Sequence, residues 1–267
     1  MRESIAIIFV GFLLIMLIAF ALERLYREVF FFEGIRLGGR LHSWLYDRWA
    51  PRYDRDKKNQ KNDVQALINP LIEKLTQNAA IGPETLVLDI ATGTGRFPVA
   101  LLSKAEFTGR VIGLDISRNM LKQASSKLTR YESRAVLLNQ PAVPLPFPDG
   151  VFDVLSCIET IELLPDKHAH LCEFYRVMRP GGILLISRNT GEWGIRGKLC
   201  PAELFSSQLS AAGFEQVEIT PWWKWFDLVW ARKPCQDHSE VKLPRGMPRG
   251  ILLADQNSCV GPCSISL

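Results

Sequence analysis

The stretch Leu86-Val87-Leu88-Asp89-Ile90-Ala91-Thr92-Gly93-Thr94-Gly95-Arg96-Phe97 reads as a buried strand, a glycine turn and the start of a helix. Gly93 and Gly95 permit backbone geometry and a closeness of approach that a Cβ would block, and the helix start points unpaired N–H groups at whatever sits above the strand end. A tight strand-to-helix turn needs glycine with or without a ligand, so a second signal has to decide. It comes from Val111-Ile112-Gly113-Leu114-Asp115-Ile116, a neighbouring strand whose Asp115 lies about twenty residues beyond Gly95. A carboxylate there can accept hydrogen bonds from both hydroxyls of a ribose. The pair therefore predicts a nucleoside-containing ligand. A dinucleotide is disfavoured, because Pro98 stands where a third glycine would let the helix pack close to a pyrophosphate.

Outward from this turn, short apolar runs alternate with helical patterns, which predicts an α/β domain with a parallel sheet. Strands are expected at residues 85–90, 111–116, 135–138, 152–158 and 183–187, each buried on both faces, with helices at 64–77, 97–104, 119–129, 167–178 and 201–212. Residues 217–223 and 225–232 are two β-like runs joined by almost nothing, hence an antiparallel hairpin. A parallel sheet finished by such a hairpin separates methyltransferase-like sheets from dinucleotide-binding ones. Residues 234–267 carry Pro, Gly, Ser and scattered charge without periodicity and read as a mobile tail.

Four motifs together carry a family resemblance: residues 89–95, Asp115, the run Pro144-Leu145-Pro146-Phe147-Pro148-Asp149-Gly150-Val151-Phe152-Asp153, and Arg179-Pro180-Gly181-Gly182. With the hairpin, they resemble the class I S-adenosylmethionine-dependent methyltransferases over residues 46–233, nearest to the ubiquinone/menaquinone-biosynthesis C-methyltransferase group. Tyr46-Asp47-Arg48-Trp49-Ala50-Pro51-Arg52-Tyr53-Asp54 is similar to that group's N-terminal element, which covers the cofactor. The resemblance implies a Rossmann-like fold and S-adenosylmethionine as cofactor. It further implies that Asp89, Ala91, Thr92, Gly93, Thr94 and Gly95 hold the methionine part, Asp115 the ribose and Ile116 the adenine, with Tyr53, Gln140, Ala142 and Ile158 also in contact. Relatives usually carry an acidic residue before the Ala of the Leu-Pro-Phe loop, facing the adenine amino group. Here that position is Pro141, and Gln140 or the backbone around Ala142 is expected to serve instead.

A sulfonium donor supplies its own driving force, so alignment and water exclusion are the protein's main tasks. If a catalytic base exists, Glu159, Glu162 and Arg188 are the candidates, at the ends of the fourth and fifth strands, with Tyr53 from the N-terminal cover. Solvated carboxylates are common in such a segment, and that reading stands beside the catalytic one. His168 and His170 are expected on an exposed helix face, and no metal-ligand cluster surrounds them. Trp222, Trp223, Trp225, Phe226 and Trp230 read as sheet packing, or as a surface for an apolar acceptor.

The stretch from Ser4 to Leu22 holds no charged residue and, at about 1.5 Å per helical residue, extends roughly 28 Å, enough for one membrane span. A cleaved signal peptide ending near Ala19-Phe20-Ala21 and a buried core helix are the alternatives. Arg2 alone precedes the span whereas Arg24, Arg27, Arg36, Arg40 and Arg48 follow it, which places the catalytic domain on the cytoplasmic side. The expected organisation is an anchor at 1–22, a juxtamembrane and cofactor-covering region at 23–63, the methyltransferase domain at 64–233 and the tail.

Composition sets the outer limits. The chain's 267 residues, 47% hydrophobic and 22% charged, exclude collagenous, coiled-coil and wholly disordered classes. A net charge of +4, dispersed along the chain, does not make a nucleic-acid binder. Six cysteines in this length form no disulfide scaffold and fit a reducing compartment. The expected partners are the bilayer and an apolar acceptor such as a quinol or lipid. A soluble acceptor, or a tethered binding protein without turnover, are the competing readings, and the oligomeric state is left open.

Overall fold

The computed structural model describes residues 2–31, 38–57, 63–164, 166–190, 200–223 and 226–235. Its first two elements are helices, α1 (Arg2–Phe31) and α2 (Gly38–Asp56). A π-helical turn, Val64–Ile68, then runs straight into α3 (Asn69–Gln77). The alternation follows: β1 (Leu86–Ile90), α4 (Arg96–Leu102), β2 (Arg110–Asp115), α5 (Arg118–Leu128), β3 (Ala135–Asn139) and β4 (Phe152–Cys157). After a 3-10 turn at Ile161–Leu163 come α6 (Lys167–Val177), β5 (Met178–Asn189), α7 (Ala202–Ala211), β6 (Glu215–Trp223) and β7 (Phe226–Arg232).

These seven strands make one sheet in the order β3-β2-β1-β4-β5-β7-β6. The first five are parallel, and β7 lies antiparallel between β5 and β6. The fold is therefore the expected Rossmann-like one with a terminal hairpin. Chain direction across the sheet reverses between β1 and β4, and the crevice above the carboxyl ends of those two strands is where such sheets bind ligands.

Alternation along the strands explains why the sheet is covered on both sides. Val87, Val154 and Leu185 join Leu71 and Leu75 of α3 and Phe97 and Leu101 of α4 in one core. Leu88, Ile90, Leu155, Leu184 and Ile186 join Phe174 of α6 and Phe205 and Leu209 of α7 in the other. One expectation fails here. The strand at 135–139 is not buried on both faces, because it is the sheet edge, with Val136 half exposed. The fifth strand is also longer than expected, since the Arg179-Pro180-Gly181-Gly182 turn is drawn into it.

The N-terminal helix follows other rules. From Phe9 to Leu25 its apolar side chains are exposed, Leu14, Leu17 and Phe20 among them, and it touches the domain through α2 and the turn Ile161–Leu163. Among the described residues no helix is long and apolar enough to cross a membrane. The expected tail from residue 236 onward and Trp225 lie outside the described residues. Among the described residues Cys157, Cys200 and Cys235 are free thiols, whereas Cys172 is disulfide-bonded, which departs from the expected reducing compartment.

Candidate active site

A cavity of 520 Å³ opens above the carboxyl ends of β1, β2 and β4, within the usual size range of small-molecule sites. Its wall is mostly apolar, from Ile90, Leu114, Ile116, Met120, Ile158 and Leu163. Two of its non-glycine residues, Ala91 and Glu159, have φ of 54° and 57° and end β1 and β4 in the left-handed region. Strain of this kind persists where the surroundings over-determine it, and it concentrates at sites.

Asp115 organises the floor. Its Oδ2 accepts from Gly93 N at 2.8 Å and its Oδ1 from Ser117 N at 2.8 Å, so one carboxylate fixes the glycine turn and the entry to α5. Gly95 (φ 76°) ends that turn, and a Cβ there would meet Ala124 Cβ at 3.0 Å. Burial raises the Asp115 pKa while the backbone donors Ser117 and Gly93 oppose the shift. A carboxylate offers about four lone-pair sites, so both oxygens keep capacity for two ribose hydroxyls. Beneath it, Asp89 accepts from Ser156 Oγ at 2.7 Å, and burial lifts its carboxyl to about 7.

The cover is α2, which lays Tyr46 and Tyr53 into the cavity wall. Pins along its length hold it. Asp47 Oδ1 accepts from Ser117 Oγ (2.6 Å) and Asn119 N (3.0 Å), capping α5 from outside. Asp54 accepts from Thr94 Oγ1 at 2.6 Å and pairs with Lys127 at 2.5 Å. Past the helix end, Lys57 pairs with Glu159. Arg96 completes the cluster, reaching Glu159 at 3.0 Å and Asp63 at 2.8 Å. Burial opposes the charge on Glu159, but Arg96 and Lys57 outweigh it and hold the carboxyl below the ordinary glutamate value. Burial likewise pushes the Tyr46 phenol up to about 12 and that of Tyr53 higher still, so both stay protonated.

Of the residues expected at the cofactor, Tyr53, Ala91, Gly93, Asp115, Ile116, Gln140, Ala142 and Ile158 all line this cavity. Asp89, Thr92, Thr94 and Gly95 do not; they shape the turn from behind it. Of the three catalytic candidates only Glu159 lines the wall, and its carboxylate is engaged by two cations. Glu162 accepts from Asn189 N, and Arg188 pairs with Asp227 and donates to the Cys200 carbonyl; both stand outside the lining. His168 is exposed as expected, but His170 is not: it is 6% exposed and lines the cavity. The signal was in the sequence, because His170, Phe174 and Val177 sit at i, i+4 and i+7, one buried face of α6. The aromatic hairpin divides: Trp230 is buried in the sheet, and Trp223 stacks on Phe226 at the carboxyl edge.

The fold, glycine turn and carboxylate are those of a nucleoside-binding α/β site, and a family model agrees. Residues 88–186 match the model described as a methyltransferase domain. This part of the chain is a methyltransferase domain. The demethylmenaquinone methyltransferase of Lactiplantibacillus plantarum is 36% identical over 144 residues, 53% of this chain and 59% of the relative. That of Listeria monocytogenes serotype 4a is 39% identical over 141 residues, 52% of this chain and 58% of the relative. The matched segment thus spans about three fifths of the length of those curated relatives. Solved structures share the fold at low identity. The cyclase SpnF has a TM-score of 0.61 at 18% identity, covering 74% of this chain and 97% of its own. A phosphoethanolamine N-methyltransferase of Haemonchus contortus, solved with S-adenosylmethionine, has 0.54 at 17%, covering 71% and 60%. A cyclase and a methyltransferase on one fold show that the chemistry is set in the site. The class I methyltransferase resemblance of the sequence holds, and with it the cofactor expectation.

The residues present fit that cofactor. Asp115 supplies acceptors for a ribose, Ile116 an apolar face for the attached base, and the open surroundings of Gly93, whose added Cβ would meet only Ala91 O at 3.9 Å, leave room for the remaining chain.

Proposed function

We propose that the chain is an S-adenosylmethionine-dependent methyltransferase, attached to a membrane through α1 with the active site on the cytoplasmic side, and that its acceptor is an apolar molecule of the bilayer such as a quinol or lipid. One observation carries the acceptor class: the helix with exposed apolar side chains lies against Ile161–Leu163, the turn whose Leu163 walls the cavity. An apolar helix beside the cavity keeps the site within reach of a lipid-dissolved molecule and raises its effective concentration. The two relatives described above are both demethylmenaquinone methyltransferases, which supports a quinol-type acceptor. The dispersed positive charge supports no nucleic-acid partner.

In this reading the bound cofactor supplies an electrophilic methyl group on sulfur. Asp115 fixes the ribose, Gln140, Ala142 and Ile116 surround the base, and Ala91, Gly93 and Ile158 leave a track for the methionine part. Tyr46 and Tyr53, protonated and half-buried, exclude water from above. Glu159 holds its negative charge beside the cavity through Arg96 and Lys57 and so anchors the cover. Alignment and water exclusion then carry most of the rate.

The test is incubation of the full chain with vesicles containing demethylmenaquinol and donor labelled in the methyl group. Label is expected in the lipid extract; label confined to the aqueous phase or to protein overturns the acceptor class. The anchor is tested separately by Leu14→Lys together with Leu17→Lys. With two charges set on its exposed apolar surface, the pair is expected to abolish sedimentation with vesicles while cofactor affinity stays within twofold. Unchanged sedimentation would rule out α1 as the anchor.

A further inference from the structure

Among the described residues His170 is the one histidine that lines the cavity, and two contacts fix what it offers. Its Nδ1 lies 2.5 Å from the carbonyl oxygen of Asp166. A carbonyl can only accept, so Nδ1 carries the hydrogen and donates, which leaves Nε2 as a bare lone pair. The ring edge rests on Phe174 at 6.3 Å between centroids, which holds the imidazole in place. Burial lowers the pKa, so the neutral form with its acceptor nitrogen is the one present near pH 7. No residue among those described bonds to Nε2. A polar side chain only 6% exposed, lining a cavity with an unused acceptor, points to a ligand that brings a donor.

Where that donor comes from follows from how α6 meets the loop between β3 and β4. Leu145 N donates to Glu173, and Arg176 donates to the carbonyls of Leu145 and Phe147, so the loop is stitched down the length of α6. His170 lies one turn before Glu173, hence opposite the part of the loop that precedes Leu145, and Gln140, Pro141, Ala142 and Val143 line the cavity there. With the ribose on Asp115 and the rest of the ligand over Gly93 and β4, the base leaves the ribose on the other side, past Ile116 toward this loop. Its edge then reaches a wall where Pro141 has no N–H and no polar side chain, and Gln140 is exposed to water. The buried acceptor on that wall is His170.

We propose that Nε2 of His170 accepts a hydrogen bond from the exocyclic amino group of the cofactor's adenine and so selects adenine over 6-oxopurines. The proposal rests on the cofactor reading above and adds a specificity residue to it. A 6-oxopurine would turn a carbonyl oxygen toward a lone pair, two acceptors face to face, which removes the bond and adds repulsion.

The test is calorimetric titration of the full chain with S-adenosylhomocysteine and with its 6-oxo counterpart, S-inosylhomocysteine. The wild type is expected to bind the adenine compound at least tenfold more tightly. His170→Ala should weaken the adenine compound about three- to tenfold, the size of one net hydrogen bond, and bind the 6-oxo compound at least as tightly as the wild type does, because the facing lone pair is gone, so that the preference shrinks at least threefold. The 6-oxo titration also reports that the variant is folded. His170→Gln, which keeps an acceptor oxygen, should retain at least half of the preference on a logarithmic scale. A preference unchanged in His170→Ala overturns the proposal and leaves the cofactor reading intact. Failure of the wild type to bind either compound overturns both.

Discussion

The floor and the cover of the cavity are held by different physics. Below, Asp115 takes two backbone N–H groups, so the floor is fixed by main-chain geometry within one strand-turn-strand unit, and Asp115 is 8% exposed. Above, α2 is held by side chains meeting side chains across long separations in sequence, with Asp47 on Ser117, Asp54 on Thr94 and Lys127, and Lys57 on Glu159. Groups of the first kind are expensive to disturb because nothing replaces them; where a contact of the second kind is exposed, as between Asp54 and Lys127, it is cheap because water does. The floor should therefore behave as a rigid receptor and the cover as an adjustable one.

The largest test of this contrast is Asp115→Ala. It orphans the amides of Gly93 and Ser117 and removes the ribose acceptors, so cofactor affinity should fall about 100-fold or more, with a stability loss of about 2–4 kcal/mol visible in denaturant titration. A loss below tenfold would mean that the turn holds its shape without the carboxylate. Next comes Arg96→Met, which removes the 2.8 Å partner of Asp63 and leaves Lys57 beside Glu159. Breaking a largely buried pair from one side costs about 3 kcal/mol, and the cost should shrink as pH drops. Glu159 sits below its ordinary value, so the stability it contributes is present above the ordinary glutamate pKa and is lost as pH falls through its lower folded value.

Glu162 gives the opposite sign and a smaller effect. Burial raises its carboxyl to about 7, so its contribution to folding is full below the ordinary glutamate range and is lost as pH rises through about 7. Glu162→Gln should match the wild type near pH 4 and be more stable at pH 8, by about 1–3 kcal/mol, in thermal unfolding at the two pH values. Equal stability at both would show that the carboxyl is hydrated in the folded state. Smallest is Asp54→Ala, which releases one pin of α2. Cofactor dissociation measured by stopped flow should quicken about three- to fivefold, with unfolding free energy changed by about 1 kcal/mol or less. If that variant cost as much as Asp115→Ala, the distinction between floor and cover would be lost.

How far the sequence revealed this site follows the same division. The strands, the glycine turn and Asp115 were legible because each is encoded locally, by apolar runs, glycines and a fixed offset. The pins of α2 were not, since nothing near Asp47 says that Ser117, 70 positions away, will meet it. Resemblance assigns residues 46–54 a covering role, but nothing local singles out Tyr46 among them. Lys167 and His168 suggest a solvated face for α6 and so hide His170, whose 3.6-residue period with Phe174 and Val177 marks the buried one. The apolar run at 135–138 cannot say that its strand is the sheet edge, because edge position is a property of the assembled sheet.

The pins of α2 carry one more consequence. Lys127 and Asp54 are 31% and 49% exposed, so the pair lies within reach of mobile ions, and added salt screens an exposed ion pair even at contact. The buried contact between Asp115 and Gly93 is shielded from that. Ionic strength should therefore change how long the cofactor stays far more than how it is recognised, making its residence time, and with it the competition between fresh donor and spent product, responsive to the salt of the compartment.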